Sequence, residues 1–308
     1  MVTPSQESKL PNINHARNEL NTLRDLLRFA VSYFNQANLF FGHGFPTAYD
    51  EAAHLILHAL HLTPDQLDLF LDARIIQSER DQIIHLIEQR VSERIPTAYL
   101  TNEARLGDFS FYVDQRVIIP RSFIAELLQT RLMPWIKHPA AIHSALDLCT
   151  GSGCLAVLLA HAFENAEIDA VDISAEALDV AHKNINRYDL SHTINPIQSN
   201  LFSALHGRRY DVIVSNPPYV NAESMAALPK EYHHEPQIAL TGGLDGLAIT
   251  RTILREAADY LTEQGILIVE IGHNRAILEQ IFPRTPFTWL ETSAGDQFVF
   301  MLKRSDLT

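Results

Sequence analysis

The sequence is poor in cysteine, with only Cys149 and Cys154, five positions apart in an apolar, glycine-containing stretch of a 308-residue chain. Such a pair is neither a disulfide framework nor a zinc-ligand pattern, and it fits a reducing compartment. Basic residues are scarce as well. Lysine and arginine number 24 against 37 aspartates and glutamates, a formal net charge of -13 that repels a phosphate backbone and argues against nucleic acid as a direct substrate. The same charge favours encounter with a basic macromolecule, an attraction that weakens with salt. No apolar run reaches the roughly 18 residues of a membrane span; Cys154 to Phe163 comes nearest, and it is short and contains His161. Met1 to Asn14 is polar, with Pro4 and Pro11, and has neither the basic start nor the apolar run of a leader peptide. These absences predict a soluble, cytoplasmic protein.

The length suggests two domains. From about Ala16 to Arg94 apolar residues recur at helical spacing: Leu20, Leu23, Leu27, Ala30, Val31 and Phe34, then Ala53, Leu57 and Leu60, then Ile83, Ile84, Ile87 and Val91. Thr63-Pro64-Asp65 and Ser78-Glu79-Arg80-Asp81 read as helix starts. A small helical domain over 1–100 is expected. Between Leu106 and Ile119, Phe109, Phe111 and Val113 alternate with smaller or polar residues, and Asp114-Gln115-Arg116 precedes Val117-Ile118-Ile119-Pro120, so 101–120 reads as a β-hairpin linker. Over 121–308 strands and helices alternate. Apolar runs at Ala145 to Cys149, Ile168 to Ile173, Asn195 to Gln198, Tyr210 to Ser215 and Ile266 to Ile271 are separated by helical stretches, and Phe287 to Glu291 and Gln297 to Leu302 follow one another across a turn. The pattern predicts an α/β domain with a mostly parallel sheet covered on both faces and a late antiparallel strand. Ligands of such sheets bind beyond the carboxyl ends of the strands.

Asp147-Leu148-Cys149-Thr150-Gly151-Ser152-Gly153 closes the first of these strands and opens a helix at Cys154. Glycines in such a turn let backbone N–H groups approach a ligand, and the helix amino end favours its carboxylate or phosphate. Gly151, Gly153 and Ala156 also satisfy a dinucleotide fingerprint, with Asp172 placed for ribose hydroxyls, so a nicotinamide-dependent oxidoreductase stays open at this point. Asp147 weighs against it. An acid there disfavours a nearby pyrophosphate but accepts a hydrogen bond from the ammonium of an amino-acid ligand. The arrangement resembles the adenosylmethionine-dependent methyltransferases, whose cofactor ends in a methionine moiety. Under that resemblance Asp172 binds the ribose; the blander alternative is that it caps the helix starting at Ser174-Ala175.

Val214-Ser215-Asn216-Pro217-Pro218-Tyr219 follows the fourth strand of the series. Two consecutive prolines make a rigid extended turn that cannot continue a central strand, and they hold Asn216 at the strand's end. A planar amino group conjugated to a carbonyl or a ring donates two hydrogen bonds in its own plane, and its nitrogen is a poor nucleophile. The Asn216 side-chain oxygen and a backbone carbonyl of Pro217-Pro218 can accept both hydrogens while Tyr219 packs on the flat face. In-line placement then supplies much of the acceleration. The simpler reading is a proline-rich loop in which Asn216 is only a turn residue.

The helical amino-terminal domain, the hairpin, Asp147 to Gly153 and Asn216-Pro217-Pro218-Tyr219 together resemble the protein glutamine N(5)-methyltransferases that modify release factors or a ribosomal protein. The resemblance covers nearly the whole chain. It is longest to the branch acting on the third protein of the large ribosomal subunit, through Phe41-Gly42-His43-Gly44, Tyr49-Asp50-Glu51-Ala52, Arg94-Ile95-Pro96, Phe111-Tyr112-Val113-Asp114 and Phe287-Thr288-Trp289-Leu290-Glu291. Two departures put a release-factor substrate in doubt: Ile124-Ala125 stands where release-factor enzymes usually carry Thr-Glu, and Gly295-Asp296-Gln297-Phe298 lacks their arginine. The resemblance implies a Rossmann-like seven-stranded fold, S-adenosyl-L-methionine as cofactor and a basic ribosomal protein as substrate. It implies Asp147, Thr150, Gly151, Ser152, Gly153, Asp172, Asn200, Leu201 and Asn216 as cofactor-binding residues, with Asn200 replacing the more usual aspartate beside the adenine. It also implies that Asn216, Pro217, Pro218 and Tyr219 carry the chemistry and that the helical domain selects the substrate.

Rival readings remain at this level. DNA adenine methylation uses the same turn, but -13 net charge does not suit a protein that grips phosphates and flips a base. A noncatalytic ribosome-assembly module would leave the intact acidic and amide residues without a purpose. His54, His58 and His61 share a helix face without an evident acidic or sulfur partner, so no metal site is expected. His233-His234-Glu235-Pro236 reads either as part of a substrate lid or as a solvated loop.

Overall fold

The computed structural model describes residues 13–307, so the polar segment read above lies outside the described residues as far as position 12. Two compact units divide the chain. One holds the described residues up to Glu103 together with Pro229–His234; the other holds Ala104–Leu228 and the residues from Glu235 onward.

The first unit is helical. Thr22 caps the helix Leu23–Gln36: its hydroxyl accepts the Asp25 amide at 3.2 Å while the Asp25 carboxylate accepts the Thr22 amide at 3.0 Å. Thr47 caps Ala48–Ala59, and Glu79 accepts the Ile76 amide at 3.0 Å to start Gln77–Ser92. The apolar stripes of these helices bury Leu26, Ala30, Phe34, Leu55, Ile56, Ile83, Ile84 and Ile87 in one core. Charge is buried here too. Arg90, 1% exposed, bonds Glu51 through Nε and Glu231 through Nη1 at 3.2 Å, and the Thr97 hydroxyl donates to Glu51 at 2.6 Å. Glu231 arrives from the segment after the Asn-Pro-Pro-Tyr turn, and it also accepts the Phe40 amide at 3.2 Å and Arg94 at 3.4 Å. That segment is therefore not a solvated loop.

The hairpin turns earlier than the sequence suggested. Its strands are β1 (Glu103–Leu106) and β2 (Phe109–Tyr112), joined by Gly107-Asp108, with Gly107 at φ +59°. Val117 to Ile119 is not a strand, because Asp114 turns the chain by accepting the Arg116 amide at 3.1 Å and its guanidinium at 2.8 Å. Asn184, fully buried, ties β2 down by accepting the Tyr112 amide at 2.7 Å and donating to the carbonyls of Tyr112 and Ser152.

The second unit is built on a seven-stranded sheet ordered β5-β4-β3-β6-β7-β9-β8, from β3 (Ser144–Leu148), β4 (Glu167–Asp172), β5 (Ile194–Gln198), β6 (Tyr210–Ser215), β7 (Leu261–Glu270), β8 (Thr288–Thr292) and β9 (Gly295–Lys303). The first five run parallel and β9 runs antiparallel between β7 and β8, as the alternation predicted. Strand β7 begins five residues before the apolar run at Ile266, because a register shift lets Leu261 pair with Tyr210 while Thr262, Glu263 and Gln264 face outward. The register aligns Leu148 with Val171 and Ser215, and Ser215 with Val269. Asp147, Asp172, Asn216 and Glu270 are thereby gathered at the carboxyl edge of the sheet. Among the described residues no helix is long and apolar enough to cross a membrane.

Candidate active site

A cavity of about 400 Å³ opens at that edge. Of the residues expected from sequence, Gly151, Asp172, Asn200, Leu201, Asn216 and Pro218 line it. Asp147, Thr150, Ser152, Gly153 and Pro217 are buried behind the lining, and Tyr219 stands half-buried after it.

The glycine turn is held from within. The Thr150 amide donates to the Val171 carbonyl and the Gly153 amide to the Thr150 carbonyl, both at 2.9 Å. Gly153 caps the helix Cys154–Ala162 at φ +79°, and a Cβ there would stand 3.1 Å from Ala181 Cβ, so only glycine allows this approach of helix to turn. Asp172 closes β4 by accepting the Gly151 amide at 2.9 Å on one oxygen and the Ser174 amide at 2.9 Å on the other. Helix capping is done instead by Ser174, whose hydroxyl accepts the Ala177 amide at 3.2 Å. Each Asp172 oxygen keeps a lone pair for a ligand hydroxyl. Burial raises its pKa, against the pull of those two amides.

Asp147 is wholly buried. One oxygen accepts the Thr150 hydroxyl at 2.6 Å; the other has no hydrogen-bond partner among the described residues. Burial pushes its carboxyl up to about 7, despite the Thr150 hydroxyl that favours the anion. An orphaned buried acid in this position is what a cationic amino-acid group would satisfy.

On the far wall, the Ser199 hydroxyl accepts the Ala204 amide at 3.0 Å and donates to the Leu201 carbonyl at 2.8 Å, fixing the turn that presents Asn200 and Leu201. Asn216 follows β6 into the cavity, and its side chain has no protein partner among the described residues. The next turn is stapled down: the Val220 amide donates to the Leu240 carbonyl at 2.9 Å and the Gly242 amide to Val220 at 2.8 Å.

A model of the methyltransferase small domain matches residues 127–231. Over 294 residues the chain is 57% identical to the ribosomal protein uL3 glutamine methyltransferase of Neisseria gonorrhoeae, covering 96% of this chain and 98% of that protein. The protein of the same name from Bordetella pertussis is 53% identical over 96% of this chain and 99% of its own length; that from Burkholderia pseudomallei is 52% identical, over 93% and 95%. The chain belongs to the uL3 glutamine methyltransferase family. A crystal structure of the hMettl16 catalytic domain, in complex with MAT2A 3'UTR hairpin 1, shares the fold at 16% identity and a TM-score of 0.50, covering 82% of this chain and 90% of that one.

The methyltransferase cavity has further walls that the sequence did not disclose. Val117 and Ile118 come from the hairpin exit, Ile173 follows Asp172, and Pro236 to Ala239 and Thr241 come from the insertion. Ile173 is 49% exposed and Ile238 60%, leaving apolar surface open to a flat ring. The insertion is anchored by Glu235, a buried carboxylate that accepts Arg121 twice, at 2.5 and 2.7 Å, and the Ile119 amide at 3.0 Å. The signal for Ile173 was an apolar residue directly after a strand-ending acid; Pro236 ends the stretch read above as a lid or a solvated loop, and for Gln237 to Thr241 no local signal exists.

Proposed function

We propose that this methyltransferase moves the methyl group of S-adenosyl-L-methionine to the side-chain amide nitrogen of a glutamine in ribosomal protein uL3. The relatives' name supports the substrate, and the observation that carries the chemistry is Asn216, unpartnered, at the mouth of a rigid Pro217-Pro218 turn beside the cavity. Asp147 with the amino end of the helix Cys154–Ala162 would hold the methionine moiety, Asp172 the ribose hydroxyls, and Asn200 and Leu201 the adenine, between apolar walls that include Ile173. When bound, the cofactor supplies an electrophilic methyl on a sulfonium.

The chain's own part is orientation. Asn216 Oδ1 and a backbone carbonyl of the Pro217-Pro218 pair accept the two amide hydrogens, Tyr219 packs on the amide face, and the nitrogen is directed at the methyl group. Acceptors already in place need no reorganisation during transfer, which raises their value in a desolvated site. One proton is released to solvent per methyl transferred. The net charge of -13 supports a basic partner and opposes a DNA substrate. Two free thiols and a ribosomal-protein substrate fit the cytoplasm.

The test offers isotopically labelled S-adenosyl-L-methionine with undermodified uL3, a release factor and unmethylated DNA, followed by mass-spectrometric mapping. Label on a uL3 glutamine is expected; label confined to the release factor or to DNA overturns the substrate.

A further inference from the structure

Glu270 closes β7 at the same sheet edge as Asp147, Asp172 and Asn216, and it is 1% exposed. Its Oε1 accepts the Tyr219 phenol at 3.2 Å; its Oε2 accepts the Ser122 hydroxyl at 2.7 Å and the Phe123 amide at 2.8 Å. Burial lifts its carboxyl to about 6, against the pull of those three donors and of Arg121.

The residues that follow serve the same tyrosine. A Cβ on Gly272, at φ +55°, would stand 2.7 Å from two carbons of the Tyr219 ring, so the ring approaches the backbone where only glycine leaves room. The Asn274 amide donates to the Tyr219 carbonyl at 2.9 Å and to the Ile271 carbonyl at 3.0 Å. Three residues of one short stretch, Glu270, Gly272 and Asn274, thus hold Tyr219 by its hydroxyl, its ring and its carbonyl. Water would satisfy a phenol at far less cost than a buried carboxylate.

We infer that Glu270 is a positioning residue of the reaction, fixing Tyr219 and through Pro217-Pro218 the direction in which Asn216 meets the substrate amide. The inference rests on the methyl transfer proposed above. Glu270 touches neither the cavity nor the reacting atoms; it acts through Tyr219, which the prolines couple rigidly to Asn216.

The full-length protein is compared with Glu270→Gln, Tyr219→Phe and the double variant. Glu270→Gln keeps the volume but offers one acceptor oxygen for three donors. It is expected to lower kcat for uL3 about 10-fold while KM for either substrate moves less than about twofold. Tyr219→Phe gives the same loss. The double variant loses no more than either single, because all remove one interaction; independent roles would multiply to about 100-fold. A second readout needs no substrate: in protein carrying ¹³Cζ-tyrosine, the signal that Tyr219→Phe removes is the one Glu270→Gln shifts. An unmoved Tyr219 signal, or multiplicative losses, overturns the role of Glu270. Wild-type protein that fails to methylate uL3 overturns the parent reading instead, and the tyrosine signal still decides whether Glu270 holds Tyr219.

Discussion

If Asp147 holds the ammonium of the cofactor, as proposed, it links cofactor binding to a proton. Burial pushes its carboxyl up to about 7, against the Thr150 hydroxyl and the Ala156 amide, which favour the anion. A raised carboxylate stabilises the fold below its unfolded value near 3.8, and that contribution is lost as pH rises through 7. An ammonium placed beside it reverses the preference, so binding must expel the proton wherever the free protein holds one. The free protein carries about half a proton on Asp147 at pH 7 and about 0.9 at pH 6. The apparent dissociation constant for S-adenosyl-L-methionine then weakens about fivefold from pH 7 to pH 6, a window below the α-amino pKa near 8 of the ligand itself. Isothermal titration in two buffers of different ionisation enthalpy counts the protons, and Asp147→Asn provides the control. The variant is expected to bind more weakly at pH 7 and to lose both the proton release and the slope. Equal proton release in wild type and variant, or a flat wild-type affinity over that window, would refute the assignment of Asp147 to the ammonium.

Three other perturbations follow from the geometry. Asn216→Ala removes the acceptor proposed to meet the substrate amide and should cost about 1–3 kcal/mol in kcat with cofactor affinity kept; single-turnover methyl transfer at the wild-type rate would contradict this. Asp172→Ala should weaken S-adenosyl-L-methionine binding measured by calorimetry, and unchanged affinity would remove Asp172 from the ribose. Glu231→Ala takes one partner from Arg90 and should lower the unfolding free energy of the helical unit by about 3 kcal/mol in urea titrations. Burial alone would raise Glu231, but the backbone amides and Arg90 outweigh it and hold its carboxyl below 4.5. Its stabilisation is therefore present above that pH and is lost as pH falls, so the wild-type advantage over Glu231→Ala should shrink in acid.

Much of this molecule is written locally. The helices of the first unit follow from apolar residues on one face and from caps such as Thr22 and Thr47, all within one or two turns of chain. The parallel strands follow from short β-branched runs such as Tyr210–Ser215, and the site residues Gly151, Asp172 and Asn216 sit where those strands stop. Strand ends and the turns after them are sequence-local features, and the chemistry of this fold is placed on them.

What was not legible is what depends on pairs far apart in the chain. Arg90 meets Glu231 141 positions away, Ile119 meets Glu235 across 116, and Phe123 meets Glu270 across 147. Glu231 gave no local signal, Glu235 read only as part of a lid or a solvated loop, and Glu270 only as one position in the run Ile266 to Ile271, because none of their partners is local. Yet the three lie along the chain that follows the Asn-Pro-Pro-Tyr turn, and each is only a few percent exposed. Glu231 seats its stretch of the insertion in the helical unit, Glu235 ties the start of the cavity wall to Arg121, and Glu270 holds Tyr219. Buried carboxylates are expensive, so a fold seeking only stability would replace them with apolar residues of similar volume. Of the three, Glu270 bonds the Asn-Pro-Pro-Tyr turn itself, through Tyr219, and there the cost of a buried carboxylate is offset by the conformational definition that the proposed reaction geometry requires.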